Sequence, residues 1–399
     1  MALDSDSVVL LGAGASAEAG IPTTFAMTQR LVESINKRVQ IEPLLSALHF
    51  VCGALLAYDA ASGKNPFTGL DVERVFAAVE LLAERNVLQV TPFVASWHPA
   101  VDALDTTKAR VANFDRQLSE ALALPDSFNR AGLLIKDLID SETGTNTNGK
   151  VYAELAEAMI RELRTLVATT PKASDYLRLL VEAGEQPGGL TIATLNYDVS
   201  IEGVADSAGM PCSTGIDEWI ENGRWRWPDE GVRLLKLHGS IDWVWGVVRQ
   251  NPAMLPQREL AVTRNPEREQ RQPAVVFGQR GKLRAEGPFL GLLAEFETLL
   301  GRAKHLIVIG YSFRDDHVNE VITRWVNEND ARRIIAIDPG WPESTFPYGI
   351  RDDFRWTLEQ SLIPRSHEPE AFPPRLEIRR EDCSQALIRL VSEPEQAAS

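Results

Sequence analysis

At 399 residues the chain has room for two or three domains, or for one large α/β domain with insertions, and is long enough to bury a sizeable core. Apolar residues make up 44% and charged residues 24%, an ordinary globular balance, and the formal net charge of −15 works against unassisted binding to nucleic acid. Cys52, Cys212 and Cys383 form no Cys-x-x-Cys pair, which excludes a cysteine zinc ribbon and argues against a disulfide framework; no signal-like N-terminus and no unbroken apolar run of membrane length is read, so a soluble, cytoplasmic chain is expected.

Val8–Leu11 are four apolar residues bounded by small or polar ones, and predict a short buried strand. The strand runs into Gly12-Ala13-Gly14-Ala15-Ser16-Ala17, a Gly-x-Gly-x-x-Ala turn. In such a turn Gly12 permits the reversal, Gly14 lets backbone approach a pyrophosphate, and Ala17 lets helix pack on strand. The helix beyond offers free N–H groups and partial positive charge to phosphates. Tight turns without any ligand use the same glycines, so this stretch alone leaves nucleotide binding and plain packing both open. The helix is expected from Ser16 to about Arg38, interrupted near Gly20-Ile21-Pro22. Val39-Gln40-Ile41-Glu42 is too short, and too soon ended by Pro43, to be a second strand with Glu42 on a ribose.

From Leu44 to about Gly184 the pattern is helical: Val75, Val79 and Leu82 repeat at helical spacing, as do Leu155, Met159, Leu163 and Leu166. Loops are expected at 62–69, 91–99 and 141–149. This helical stretch interrupts an α/β pattern that returns at Leu190–Leu195, a strand ending in Asn196-Tyr197-Asp198. Trp219–Trp227 reads as a hairpin on the Asn222-Gly223 turn. Val232–Leu237 is a strand ending in His238-Gly239-Ser240, and Arg249–Pro273 reads as a surface loop before a strand at Ala274–Phe277. A helix from about Pro288 to Ala303, a strand at His305–Gly310, a helix at Asp315–Asn327 and a last strand at Arg333–Asp338 follow. The end from about Trp341 is expected over the surface.

Continuous apolar strands alternating with helices indicate a parallel sheet covered on both faces, and such sheets bind ligands beyond the carboxyl ends of their strands. The small and polar residues gather at those ends: Gly12 to Ser16, Asn196 to Asp198, His238 to Ser240, Tyr311-Ser312 and Asp338.

Gly12-Ala13-Gly14-Ala15-Ser16 with Gly20-Ile21-Pro22, then Leu195-Asn196-Tyr197-Asp198, Leu237-His238-Gly239-Ser240 and Gly310-Tyr311-Ser312-Phe313, resemble the ordered motifs of sirtuins. The resemblance covers about Val8–Ile41 and Leu190–Asp338, and is closer to the sirtuin-like NAD hydrolases of bacterial anti-phage defence than to the protein deacylases. Deacylases carry Phe-Arg just after Gly-Ile-Pro, whereas Phe25 here is followed by Ala26, and they use a zinc module that this chain cannot build from cysteines. The resemblance implies an α/β, Rossmann-like parallel sheet of sirtuin type with a large helical insertion and no zinc ribbon. Its domains would be 1–42 with 186–345 (NAD-binding and catalytic), 43–185 (helical insertion) and 346–399 (C-terminal extension).

By the same resemblance NAD is the substrate, and no zinc is expected. Asn196 would orient the nicotinamide-side ribose and a water, Asp198 would hold the carboxamide, and His238 would be a general base or ribose contact. Gly12, Ala13, Gly14, Ser16, Gly20, Ile21, Pro22, Gly239, Ser240, Gly310, Tyr311, Ser312 and Asp338 would hold the cofactor. Bland readings stand beside these: Asn196 and Asp198 as helix caps, Asp315 and Asp316 as helix-start charges, Asp338 as a turn carboxylate, and the tryptophans as packing. The implied function is hydrolysis of NAD to nicotinamide and ADP-ribose, depleting NAD in abortive infection. A protein deacylase or ADP-ribosyltransferase, or a catalytically silent NAD or ADP-ribose binding subunit, are the alternatives. A homo-oligomer, and a HerA-type hexameric ATPase as partner, are the assemblies the resemblance implies, with helices of the insertion expected to gate the site.

Overall fold

The computed structural model describes residues 3–38, 42–63, 69–91, 97–105, 149–249, 257–266, 269, 271–277, 287–342, 353–364 and 373–392. Residues 39–41 of the rejected strand 39–42, and most of the loops expected at 62–69, 91–99 and 141–149, lie outside these residues. The chain divides into two compact units, one of residues 1–23, 164–276 and 280–399, the other of 24–163 and 277–279.

In chain order the elements are β1 (Ser7–Leu11), α1 (Thr24–Arg38), α2 (Glu42–Ala61), α3 (Val72–Ala83), α4 (Pro99–Asp105), α5 (Lys150–Leu166), α6 (Arg178–Glu182), β2 (Leu190–Thr194) and α7 (Ser200–Ala208). There follow β3 (Cys212–Ser213), α8 (Ile216–Asn222), β4 (Val232–Lys236), β5 (Gly239–Arg249), β6 (Gln257–Val262) and β7 (Pro273–Val275). The chain then forms α9 (Phe289–Arg302), β8 (His305–Ile309), α10 (Asp316–Glu328), β9 (Arg333–Ile337), α11 (Phe354–Leu362), β10 (Leu376–Arg379) and α12 (Cys383–Ser392).

The first unit is built on a seven-stranded sheet among the described residues, ordered β10-β9-β8-β1-β2-β4-β3, with all neighbouring strands parallel. Because side chains alternate across a strand, β1 feeds two cores. Val8 and Leu10 face the cluster of Leu292, Phe296 and Leu300 on α9 and Val318, Ile322 and Trp325 on α10. Val9 and Leu11 face Leu180 and Val181 on α6, Ile201 and Val204 on α7, and Leu387 and Leu390 on α12. The fold is α/β and Rossmann-like. The chain leaves β1 toward β2 and later returns to β8 on the other flank, so the sheet's switch point lies at the carboxyl ends of β1 and β8.

Several sequence expectations are corrected here. Asn222-Gly223 does not turn a hairpin: Trp219 to Asn222 are helical, and Gly223, at φ 66°, closes α8 by donating its N–H to the Trp219 carbonyl. Both motifs demand a positive φ after Asn, so the dipeptide alone cannot separate them. The Pro- and charge-rich run before Pro273 holds β6, which pairs antiparallel with β5 in a second sheet ordered β6-β5-β7; the strand near Ala274 belongs to that sheet. β9 is not the last strand, since β10 adds to it in parallel register, and α12 is core rather than cover, with Ala386, Leu387 and Leu390 fully buried. Finally, the helix after the glycine turn does not begin at Ser16. Ala13–Ser16 form one 3-10 turn, and α1 starts at Thr24, after Pro22.

The second unit holds α1 to α4 and most of α5. Leu155, Met159 and Leu163 repeat every four residues on α5 and are buried, as are Val75, Phe76 and Val79 on α3. Asp71 caps α3 by accepting the Glu73 N–H at 2.8 Å. By length and composition alone one segment could cross a membrane, although Ser46, His49 and Asp59 interrupt its apolar run: 43–61 in α2 has a mean hydropathy of 1.6. Within this unit Asp59 of α2 is buried and pairs with Arg74 of α3 at 2.5 Å. The pair ties α2 to α3 through a buried carboxylate and a half-exposed guanidinium.

The core position of α12 is open to a direct check. Leu387→Ala removes a fully buried side chain and is expected to cost about 2–5 kcal/mol in denaturant unfolding. A change within about 0.5 kcal/mol is what a surface helix would give.

Candidate active site

All of the sequence-derived site residues lie in the first unit, at the carboxyl rim of its sheet or in the turns that leave it. The rim is held by one close approach. A Cβ at Gly12 would stand 2.5 Å from the Tyr311 Cα, one at Gly14 2.8 Å from the Gly310 Cα, and one at Gly310 2.3 Å from the Ala15 nitrogen. The glycines are therefore required by the packing of the β1 turn on the β8 turn. Gly12 donates its N–H to the Ile309 carbonyl and Gly14 its N–H to the Gly310 carbonyl, both at 2.9 Å. This revises the role read from sequence: neither amide is free for a phosphate, and a single 3-10 turn replaces the expected helix N-terminus. Gly20 follows at φ 84°, and Ile21 and Pro22 are buried behind it, while Ala13 is exposed on the turn.

Asn196 leaves the end of β2 and reaches back to this turn. Its Nδ2 donates to the Gly12 carbonyl at 2.9 Å and to Ser16 Oγ at 2.8 Å. Ser16 Oγ in turn donates to Asp198 Oδ2 at 2.9 Å, while Asp198 Oδ1 accepts the Ser200 N–H at the start of α7. Asp198 thus holds the first residue of α7 and also anchors the glycine turn, so both oxygens are occupied. Tyr176 braces the turn from below, donating to the Ala15 carbonyl at 2.6 Å; burial pushes its phenol pKa up, which keeps it a donor. Ser16, Asn196 and Asp198 line a cavity of about 10 Å³, room for one water and no more.

His238 closes the neighbouring strand. β2 and β4 are in parallel register with Thr194 opposite Lys236, and Leu237 donates to the Thr194 carbonyl, so His238 follows at the level of Asn196. It is buried, 6.3 Å ring to ring from Tyr197, and its Nε2 lies 2.7 Å from Asp315 Oδ2. Gly239, at φ 81°, turns the chain into β5, where a Cβ would meet the Ala274 carbonyl at 2.2 Å; Ser240 Oγ is buried with no hydrogen-bond partner among the described residues. Tyr311 is buried, and its hydroxyl donates to Asn319 Oδ1 rather than pointing to a ligand; Ser312 is half-exposed. Asp338 stands apart at the end of β9, where Oδ1 accepts the Gly340 N–H at 2.8 Å, as a turn carboxylate does, and Oδ2 lies 3.9 Å from Arg355.

Two groups escaped the sequence reading. Asp315 is the helix-start charge that the sequence predicts, accepting the His317 N–H at 3.0 Å, but its second oxygen meets His238. Lys236 looked like one residue of an apolar strand. Its side chain is fully buried beneath the rim, with Nζ donating to the Asp198 carbonyl at 2.5 Å and to Glu202 Oε1 at 2.8 Å. Burial disfavours the ammonium, but the carboxylates of Glu202, Asp242 and Asp198 outweigh it, so the pKa is raised and the lysine stays charged. A lysine in the apolar part of a strand, just before its polar end, is the available signal, although Arg233 of the same strand carries the same mark and is only half-buried.

Residues 190–348 match the family model described as SIR2-like domain, a span that includes Asn196, His238, Asp315 and Asp338 but not the glycine turn. Among solved structures, similar chains include Sir2Tm bound to a propionylated peptide (11% identity, 96% of this chain and 91% of that chain covered, TM-score 0.36). A Sir2 homologue–NAD complex (16%, 96% and 87%, TM-score 0.36) is another. A third is Sir2 with an inhibitor, 2′-O-acetyl-ADP-ribose and a deacetylated peptide (11%, 96% and 91%, TM-score 0.37). No curated protein matches. Among the described residues no group of three or more His, Cys, Asp or Glu side chains is arranged to hold a metal ion.

The buried lysine gives this site a stability test. Lys236→Met strands Glu202 without its cation and is expected to cost about 3 kcal/mol, the low end for a buried pair because the Glu202 side chain keeps 22% exposure. Lys236→Met with Glu202→Leu should recover most of that loss in denaturant unfolding. Equal losses in the single and double variants would mean that the pair is not what the lysine stabilises.

Proposed function

We propose that this chain hydrolyses NAD to nicotinamide and ADP-ribose. The observation that carries the reading is the placement of Asn196 and His238 at one level, on the ends of two adjacent parallel strands, at the rim where Asn196 also holds the glycine turn. The SIR2-like match over the same strands supports NAD as the substrate class.

In the reaction the bond between the nicotinamide nitrogen and the ribose C1′ breaks, and its electron pair neutralises the pyridinium as nicotinamide leaves. A water oxygen bonds to C1′ and gives up a proton. Asn196 has spent both amide donors on the turn, which leaves Oδ1 as an acceptor to orient a water or a ribose hydroxyl. The His238 imidazole takes the proton and passes it to solvent; a positioned base of this kind contributes roughly 10²–10⁴-fold. Asp198 in this arrangement works through the turn and α7, since both its oxygens are committed within the chain. The ordered sirtuin-like motifs extend the proposal to a defence setting in which NAD depletion aborts infection. They also motivate assembly as a homo-oligomer or with a HerA-type hexameric ATPase.

Purified chain, alone or with its partner, should release nicotinamide from NAD. His238→Ala and Asn196→Ala should each lower turnover about 100-fold or more. His238→Ala should do so with its thermal transition retained; Asn196→Ala should also loosen the turn, by about 1 kcal/mol for the hydrogen bonds it removes. Full turnover in both variants would overturn the assignment.

A further inference from the structure

Resting on the reading above, the geometry points to Asp315 as the residue that positions His238: we propose that it fixes the imidazole in the tautomer with hydrogen on Nε2, leaving Nδ1 as the proton acceptor. The argument begins with the charge of Asp315. Its Oδ1 accepts the His317 N–H at 3.0 Å and the Val318 N–H at 3.4 Å, at the N-terminus of a 13-residue helix. Two backbone donors and the partial positive charge of that helix end all favour the carboxylate. A carboxylate can only accept, so at 2.7 Å the hydrogen between Oδ2 and Nε2 belongs to the imidazole. A neutral ring protonated on Nε2 carries its lone pair on Nδ1, and no described residue hydrogen-bonds that nitrogen. When Nδ1 takes a proton, the resulting imidazolium has the carboxylate already in place, with no reorganisation needed.

The turn from β8 into α10 is built to hold this one side chain. Asp315 donates its own N–H to the Tyr311 hydroxyl at 3.0 Å, and that hydroxyl donates to Asn319 Oδ1 at 3.0 Å. Asn319 Nδ2 donates to the Phe313 carbonyl at 2.8 Å. Phe313 is the one residue other than glycine with a positive φ, 56°, among the described residues, a strained conformation for a bulky side chain. Its ring is pinned by Tyr311 at 4.8 Å, Phe354 at 5.8 Å and Trp341 at 5.9 Å. A helix cap needs only an Asp and free backbone; it does not need a strained, caged turn and a buried histidine at the end of another strand.

The test pairs a spectroscopic readout with kinetics. Asp315→Asn keeps a good capping residue but can present an amide donor to Nε2 and so favour the other tautomer. In ring-¹⁵N-labelled protein, with His238→Ala identifying the signals, wild type should carry the hydrogen on Nε2, and Asp315→Asn should move it to Nδ1. Turnover in Asp315→Asn should fall about 100-fold or more with the KM for NAD within about threefold. Asp315→Glu, which restores an acceptor, should recover part of the loss. An unchanged ring spectrum, or turnover in Asp315→Asn within about threefold of wild type, overturns the proposal. A wild-type chain that does not cleave NAD sinks the hydrolase reading instead; the ring spectrum, which needs no turnover, then still decides the pair.

Discussion

The rim depends on two turns being forced together. Gly12 and Gly14 leave β1 against Gly310 and Tyr311 leaving β8, at distances where any Cβ would collide with backbone. Two amide-to-carbonyl bonds at 2.9 Å seal the approach. The consequences run in both directions from that contact. On the β1 side the 3-10 turn places Ser16 where Asn196 and Asp198 can reach it. On the β8 side the same contact sets Tyr311, whose hydroxyl holds the Asp315 backbone, and Asp315 meets His238. Strand ends that would otherwise be independent loops become one hydrogen-bonded framework. Side chains placed by such a framework are held by packing and by second partners, which is what a catalytic geometry needs.

The sheet itself was legible because buried parallel strands are written as predominantly apolar, β-branched runs rather than as strict alternation. Val8–Leu11, Leu190–Leu195, Val232–Leu237, His305–Gly310 and Arg333–Asp338 all correspond to strands of the parallel sheet to within a residue at either end. What the sequence hid follows from physics that short patterns do not encode. β6 and β10 pair at sheet margins, where alternation such as Leu376-Glu377-Ile378-Arg379 replaces a continuous run and is easily read as surface. Asn222-Gly223 signals a left-handed residue, and only the helical Trp219–Asn222 before it decides that the residue is a C-cap. The candidate site was legible as a set of positions but not as a set of roles. Asp315 carries every mark of an N-cap because it is one, and the partner of its second oxygen lies 77 residues away.

The buried lysine shows how much the rim demands of the layer beneath it. Lys236 is fully enclosed, and its ammonium ties the backbone of Asp198 to Glu202 on α7. An apolar residue there would be no worse for the core, since buried ion pairs seldom outperform well-packed hydrocarbon. What a hydrocarbon could not do is donate to the Asp198 carbonyl and so fix the loop between Asn196 and Ser200. The charge is best understood as specifying one backbone path at the end of β2, at a desolvation cost that its carboxylate neighbours offset.

That division of labour leaves a consistent chemical surface. At the turn, donors are consumed: the Gly12 and Gly14 amides, both hydrogens of the Asn196 amide and the Ser16 hydroxyl all point inward. Acceptors remain, Asn196 Oδ1 on one strand end and His238 Nδ1 on the next, backed by the carboxylate of Asp315. A site meant chiefly to grip phosphate would keep its amides free and surround them with cations. Acceptors over a buried negative charge instead favour a centre that gains positive character as it reacts, together with the proton a water must shed. The ribose carbon of NAD, as nicotinamide departs, is such a centre. The electrostatics of the framework and the proposed bond cleavage therefore call for the same arrangement, which neither the glycine turn nor the histidine would supply alone.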